Sequence, residues 1–559
     1  SIFSFYRMVK STISRQQFLK GRPSTKRPEL DRLNPNWPSK RVAKLYRTFL
    51  ESKPPIYHPP HVYKSAPSLP VTSSTRTLID TDWNIEASAH LLNQTVFGPT
   101  YPEILASAND SIENSVAALF TPLDSPEPPG DWVNEPAPQW DALTDEEVMA
   151  LLDQYYEWMW EMANWWLIRM TRNELNIRET MTLFWHNYFA TAQSKVEYPQ
   201  AMYQQNTVFR EYGLGNFKEL LRRVTFGPAM MIWLDIHRSN KDAPNENFAR
   251  ELLELFTMGV DNYSQDDIIE ASRAFTGYVT NGVETNYIFE SQSGFGWWWW
   301  EGHDFQEKTF MGQTGEWDGD DIINIIMEQH ETAVHICSRI YKWFVYDTIS
   351  ESVVNEMAEL LRTNDYNITI ALQFLFTTEH FYDENFRGSN IQNPLGFIQG
   401  LVRKLGMEEH IYPETYFLHS QEFLGMTPLE PPDVSGWPGY RSWINSITLP
   451  ARKLQAQSLV TGNSPWGSFD FTVDVRALAQ SMYDENEEGY ASVQIVRKLG
   501  ITFFGIPLSE HLEGVMLDIL LDGAEPYDWS INAPPNDAQW NRLRDLILYI
   551  MKLPEFQLS

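Results

Sequence analysis

The stretch Thr144-Asp145-Glu146-Glu147-Val148-Met149-Ala150-Leu151-Leu152, continued by Tyr155, Tyr156, Trp158, Trp160, Trp165 and Trp166, decides the fold class. A threonine followed three residues later by glutamate is a capping box. The hydroxyl accepts the N–H three residues on, and the carboxylate returns to the threonine's own N–H. The stretch therefore predicts a long aromatic helix from about Asp145 to Met170. The same chemistry recurs at Asn216 with Glu219 and at Ser264 with Asp267. Asp320 or Asp321 is expected to open a further helix, whose positive end favours a carboxylate. The expected class is mainly α: a large multi-helix domain with long Pro-, Gly- and Trp-rich loops and an extended N-terminal arm.

The 559 residues are 43% apolar, enough for at least one large core. Residues 1–80 read as an extended, basic, Pro-rich arm with one short helix around Lys40 to Leu50, and residues 81–559 as the helical domain. The formal net charge is −31, unevenly spread. Residues 1–64 hold 14 Lys or Arg against 3 Asp or Glu, and the remainder holds 29 against 71. An acidic body repels the phosphates of nucleic acid and of anionic lipid, so neither is an expected partner. The arm is expected to lie on the acidic body or on an acidic neighbour. Cys337 is the single cysteine, which excludes an internal disulfide and a cysteine-based zinc site. Apolar runs such as Ala229 to Leu234 fall well short of the roughly 20 residues that cross a bilayer, so no transmembrane segment is expected. Ser14-Arg15-Gln16-Gln17-Phe18-Leu19-Lys20 is similar to a twin-arginine export motif with Gln in place of the second Arg, but no apolar stretch follows it.

Three long segments read as loops: Asp124 to Trp140, Gly282 to Gly315 and Leu424 to Pro450. Loops on a rigid scaffold carry function more often than the scaffold does. The run Asn245 to Leu255 puts Glu246, Arg250 and Glu254 four apart on one helical face, with Asn247 and Glu251 on the adjacent stripe. Its plain reading is an ion-paired surface helix; its chemical reading makes Glu246 or Glu254 a base beside Arg250. His186, within Phe184-Trp185-His186-Asn187-Tyr188-Phe189, is either a hydrogen-bonded core residue or a metal ligand. Gly302-His303-Asp304 with Lys308 follows four consecutive tryptophans, Trp297, Trp298, Trp299 and Trp300. His303 beside Asp304 is an acid–base pair or, with His186, a ligand set for a divalent metal. The four tryptophans, like Trp437, Trp443 and Asn445, are candidates for binding sugar or protein, since one regular element cannot bury all four. The chain has no Walker phosphate loop, dinucleotide-binding glycine fingerprint, HExxH or GxSxG.

Six segments in order carry a resemblance: His90 to Pro99, Phe184 to Phe189, Asn245 to Gly259, Ala271 to Gly277, Gly302-His303-Asp304 with Lys308, and Pro432 to Gly439 with Trp443 and Asn445. Over about residues 85 to 555 they resemble the domain-of-unknown-function 1800 family. The resemblance implies a bacterial, helical and commonly exported protein, periplasmic or at the cell surface or outer membrane. The family's genes often accompany those of a second family with sulfatase-like resemblance, and no firmly established activity comes with it. Gln94 stands where many members have Arg. Tyr188 and Phe256 stand where many have His, and Gln329-His330 replaces a frequent His-Pro pair. Three functions are expected from these readings. The first is a subunit of an exported envelope assembly, held to other proteins partly by residues 1–64. The second is a metal-dependent hydrolase of an envelope polysaccharide, and the third a glycan-binding module without chemistry.

Overall fold

The structure, a computed structural model, describes residues 66–559 apart from 80, 173, 288–301, 414 and 466, together with Arg41, Lys44, Leu45, Thr48 and Phe49. The chain is mainly helical. Ten helices position the site: α1 (Ile85–Thr95), α2 (Asp145–Thr171), α3 (Arg178–Tyr188), α4 (Pro199–Tyr212), α5 (Glu246–Glu254), α6 (Gln265–Ala274), α7 (His330–Phe344), α8 (Pro394–Lys404), α9 (Tyr416–Leu424) and α10 (Thr448–Thr461).

The caps read from sequence close as hydrogen bonds. Thr144 Oγ1 accepts from the Glu147 N–H at 3.3 Å, and the Glu147 carboxylate accepts from the Thr144 N–H at 2.7 Å. Ser264 and Asp267 cap α6 in the same way. Asn216 accepts the Glu219 N–H at 2.9 Å. The helix expected to begin at Asp320 or Asp321 is Gly319–Glu328, and its cap is Asp318, with Asp321 as the return carboxylate. α2 buries Leu152, Tyr155, Met159, Met162, Trp166 and Met170 along one face. Each such large apolar side chain stabilises the fold by about 1.5–3 kcal/mol.

Apolar side chains gather into two clusters. One joins α2 to α8, α9, α10 and the later helices. The other joins α1, α3, α5 and α7 to the helices between them. α3 contributes to both, with Leu183 in the first and Phe184, Trp185 and Tyr188 in the second.

The segment expected to be loop from Gly282 to Gly315 holds short antiparallel strands. Thr285–Tyr287 pairs with Tyr278–Thr280, and Lys308–Phe310 pairs with Gln313–Gly315. The sequence reading missed the second hairpin because its turn, Met311-Gly312, takes positive φ at both residues (48° and 76°), and Met is an unusual residue there. Of the short helix expected around Lys40 to Leu50, the five described residues are helical. They lie on the chain's own body: Arg41 pairs with Asp145 at 2.8 Å, and Phe49 packs on Tyr156. Among the described residues no helix is long and apolar enough to cross a membrane.

Candidate functional site

Segments far apart in sequence are tied together by named bonds. Trp437 N donates to Asn187 Oδ1 at 2.6 Å, so the Pro432 to Gly439 loop hangs from α3. Gly436 allows this approach. Its φ is +80°, and a Cβ there would lie 2.2 Å from the Asn187 carbonyl oxygen. Asp433 Oδ1 accepts from both the Ser435 N–H (2.8 Å) and its hydroxyl (2.5 Å), which holds the turn. On α1, Asn93 Oδ1 accepts from Lys404 Nζ of α8 at 2.8 Å. Gly98 crosses α8 at Gly400 so closely that a Cβ on Gly98 would sit 2.0 Å from the Gly400 carbonyl oxygen.

Between these crossings lies a cleft of about 490 Å³. α1 and the turn after it supply Asn93, Gln94 and Phe97, α3 supplies Thr180, Phe184 and Asn187, and the Pro432 to Gly439 loop supplies Ser435 and Trp437. Tyr440 and Trp443 follow that loop, α7 adds Arg339, Lys342 and Trp343, and α8 adds Phe397 and Lys404. Tyr440 holds a positive φ of 48°, a strained backbone of the kind found at functional sites.

The cleft is positively lined although the chain is strongly acidic. Arg339, Lys342 and Lys404 face it against one carboxylate side chain, Asp347, whose Oδ2 already accepts from the Ala66 N–H at 2.8 Å. Arg339 lies over the Tyr188 ring at 5.3 Å and has no acidic partner among the described residues. Burial pushes its pKa down. Lys404 is 6% exposed, and burial lowers its ammonium pKa to about 7. Trp437 Nε1, Gln94 Nε2 and Thr180 Oγ1 are buried in the wall without a hydrogen-bond partner. Unsatisfied buried groups of this kind are rare and mark places where a ligand or water belongs.

The residues singled out from sequence fall in different places. Trp437 and Trp443 line the cleft but are 3% and 4% exposed, so they offer edges, not open faces. Asn445 is a structural cap, its Oδ1 accepting from Ile447 N (2.8 Å) and Thr448 N (2.9 Å) at the start of α10. Trp297, Trp298, Trp299 and Trp300 lie outside the described residues. Glu246, Arg250 and Glu254 tie α5 to the start of α6. Arg250 donates to Gln265 Oε1 (3.1 Å), Gln265 to Glu246 (3.2 Å), and the Tyr263 hydroxyl to Glu254 (2.8 Å). The half-buried Glu251 is held above its ordinary pKa, first by burial, then by the negative charges of Glu254 and Asp433, with the Arg250 cation pulling the other way.

His303, Asp304 and Lys308 form a knot with α6. His303 Nδ1 meets the Thr276 carbonyl at 3.0 Å, and Asp304 pairs with Arg273 at 2.7 Å. Asp304 N donates to Thr276 Oγ1 at 2.9 Å, and buried Lys308 donates to the carbonyls of Asp304 (2.5 Å) and Gln306 (3.0 Å). Two of the six segments are thus one folding unit. His186 sits elsewhere, among the rings of Trp166 (5.3 Å), Trp437 (5.7 Å) and Phe209 (6.5 Å). Burial lowers its pKa to about 3.

A divalent metal does not fit these donors. His186, His303 and Asp304 do not gather, and among the described residues no three His, Cys, Asp or Glu side chains form a ligand group. Tyr188 and Phe256, which stand where the resemblance implies imidazoles, lie against each other. Their ring centroids are 6.5 Å apart, and the Tyr188 hydroxyl donates to the Phe256 carbonyl at 2.9 Å.

Arg339 and Lys404, which give the cleft its chemistry, were not singled out from sequence. Each sits inside an otherwise buried helical stretch, beside Ile336 and Ile340 and after Leu401 and Val402. A cation within such a stretch is the signal that could have found them. A second hollow, of about 740 Å³, runs along residues 222–231 and 283–285, but its arginines are matched internally, Arg222 with Asp320 and Arg223 with Glu219.

The body is mainly helical, and its cleft is lined by cations and side-chain amides. The family model described as "Protein of unknown function (DUF1800)" matches residues 90–558, and the chain belongs to that family. Comparison with curated proteins and with solved structures found no match.

Proposed function

We propose that the protein binds an acidic glycan in this cleft, seating an anionic group of the sugar on Arg339. The observation that carries the reading is Arg339 itself, a cation lining the cleft with no carboxylate beside it among the described residues. Withdrawing a charge from water costs several kcal/mol unless an opposite charge offsets it. An arriving carboxylate, sulfate or phosphate supplies that charge, and guanidinium binds such groups with two parallel hydrogen bonds. The remaining wall suits sugar. Asn187, Gln94 and the free Trp437 Nε1 offer hydrogen bonds to hydroxyls, while Phe97, Phe184 and Trp343 offer apolar surface to ring carbons.

The acidic body constrains the ligand further. Densely charged polyanions meet repulsion from the strongly acidic body around the cleft, whereas at physiological salt a charge more than about 8 Å away is largely screened. A glycan whose acidic sugars alternate with neutral ones satisfies both conditions. With this reading goes an exported location, in the periplasm or at the cell surface, where such polymers lie. The test is a glycan array probed with the wild type and Arg339→Gln, each acidic glycan printed beside its carboxyl-reduced or desulfated form. Binding to the acidic members alone, lost in the variant, supports the reading. Equal binding of the charge-stripped forms, or no binding at all, removes it.

A further inference from the structure

Resting on the glycan reading, we infer that the cleft also cleaves its ligand, by β-elimination at a uronate sugar: Arg339 neutralises the carboxylate, Lys404 removes the neighbouring C5 proton, and Tyr440 protonates the departing oxygen. The geometry is that of a cleft with two cations in different settings. Arg339 keeps its charge and has no counter-ion among the described residues, as the electrophilic partner of a carboxylate must. Lys404 is buried, donates to the uncharged Asn93 Oδ1 at 2.8 Å, and has no carboxylate partner among the described residues to hold its proton. The charged side chains facing the cleft beside it are Arg339, Lys342 and Asp347, a positive balance that favours the neutral amine. Burial brings its pKa to about 7, so a large fraction is free base near neutral pH. Tyr440 lines the same cleft, its hydroxyl 3.4 Å from that of Tyr346.

The step balances without a co-reactant. The Lys404 lone pair takes the proton at C5, and the electrons of that C–H bond form the C4=C5 double bond. The C4–O4 bond breaks, and the leaving oxygen takes the Tyr440 proton. Lys404 then loses its proton to solvent and Tyr440 regains one. No water is consumed and nothing is oxidised or reduced. Elimination next to a carboxylate requires that the carboxylate's charge be neutralised as the carbanion forms, which is electrostatic stabilisation of developing charge by a preplaced donor. It requires no metal.

The full chain is incubated with hyaluronan, heparosan, glucuronan and alginate, and the ultraviolet absorbance of the new carboxylate-conjugated double bond is followed. Mass spectrometry of the products distinguishes unsaturated ends from hydrolytic ones. Elimination on at least one polymer is expected, falling about 10²–10⁴-fold in Lys404→Arg, whose permanently protonated guanidinium cannot act as the base. Lys404→Met serves as the second variant, with folding checked by circular dichroism. A polymer that is bound but left uncut, or cut with addition of water, overturns the elimination and leaves the binding reading standing. Cleavage by Lys404→Arg at the wild-type rate overturns the assignment of the base. If none of the acidic glycans is bound at all, the binding reading fails together with the elimination.

Discussion

Replacing Arg339 with leucine tests the site most economically, because the structure gives the change two separable consequences. Arg339 holds a desolvated charge over the Tyr188 ring without an acidic partner among the described residues. Removing it deletes a cost and leaves no orphaned carboxylate, so the ligand-free protein should melt at the wild-type temperature or slightly above it. The second consequence appears with ligand. A ligand at 100 times its dissociation constant stabilises the folded state by about 2.7 kcal/mol. Unfolding entropy of about 2.1 cal/mol/K per residue gives a body of roughly 490 residues about 1 kcal/mol per degree, so the wild type should gain about 2–3 °C. Arg339→Leu should gain nothing, and a charge-stripped ligand should shift neither protein. Differential scanning fluorimetry reads both effects. A fall of about 3–5 °C in the ligand-free variant, as expected for breaking a buried ion pair worth about 3–5 kcal/mol, would show that Arg339 is a structural partner and refute the reasoning.

Other outcomes follow from the packing. Gly98→Ala, with φ of +63° and a Cβ directed at the Gly400 carbonyl, should cost at least about 2 kcal/mol in denaturant titration. Glu179 and Arg210 form a buried pair at 2.7 Å, so Arg210→Met alone should cost about 3–5 kcal/mol, and adding Glu179→Leu should restore most of it. His90 and His186 are held near pKa 3, and His237 and His335 near 4, all by burial first. Because these values lie below the unfolded value of about 6.5, the unfolded chain binds more protons between them, and each imidazole removes up to about 1.4 kcal/mol per pH unit as pH falls below 6.5. Melting temperatures should therefore fall little from pH 7.5 to 6.5 and clearly more from 6.5 to 5.5. Glu430 acts with the opposite sign. Burial raises its pKa to about 7, so its share of stability is lost as pH rises from about 4.5 to 7, and Glu430→Gln should stabilise the protein more at pH 8 than at pH 5.

The parts of the fold legible in the sequence are those fixed by local chemistry. Thr144 with Glu147, Ser264 with Asp267 and Asn216 each satisfy N–H groups within three residues, so the pattern on the chain is already the structure. The cap at Asp318 was displaced by two residues because three carboxylates compete there and only backbone geometry selects one. The site was legible only in part. Three of the six segments, His90 to Pro99, Phe184 to Phe189 and Pro432 to Gly439, meet at the cleft, the last two through the Trp437 N–H on Asn187 Oδ1, while the other three lie away from it. The roles read for His303, Asp304 and Lys308 instead became a hydrogen-bonded knot, since His next to Asp does not reveal that Arg273 and Thr276 occupy both. Arg339 and Lys404 escaped notice for a related reason. A missing counter-charge is a fact about neighbours distant in the chain, and no local pattern records it.

The central claim is that an anion belongs on Arg339, and a crystal structure of the protein with an acidic oligosaccharide selected on the array measures this directly. The account predicts an acidic group of the sugar within about 3 Å of the Arg339 guanidinium, with a hydroxyl accepting from Trp437 Nε1. A ligand seated instead in the hollow along residues 222–231, or an Arg339 side chain turned onto a carboxylate of its own chain, would contradict it.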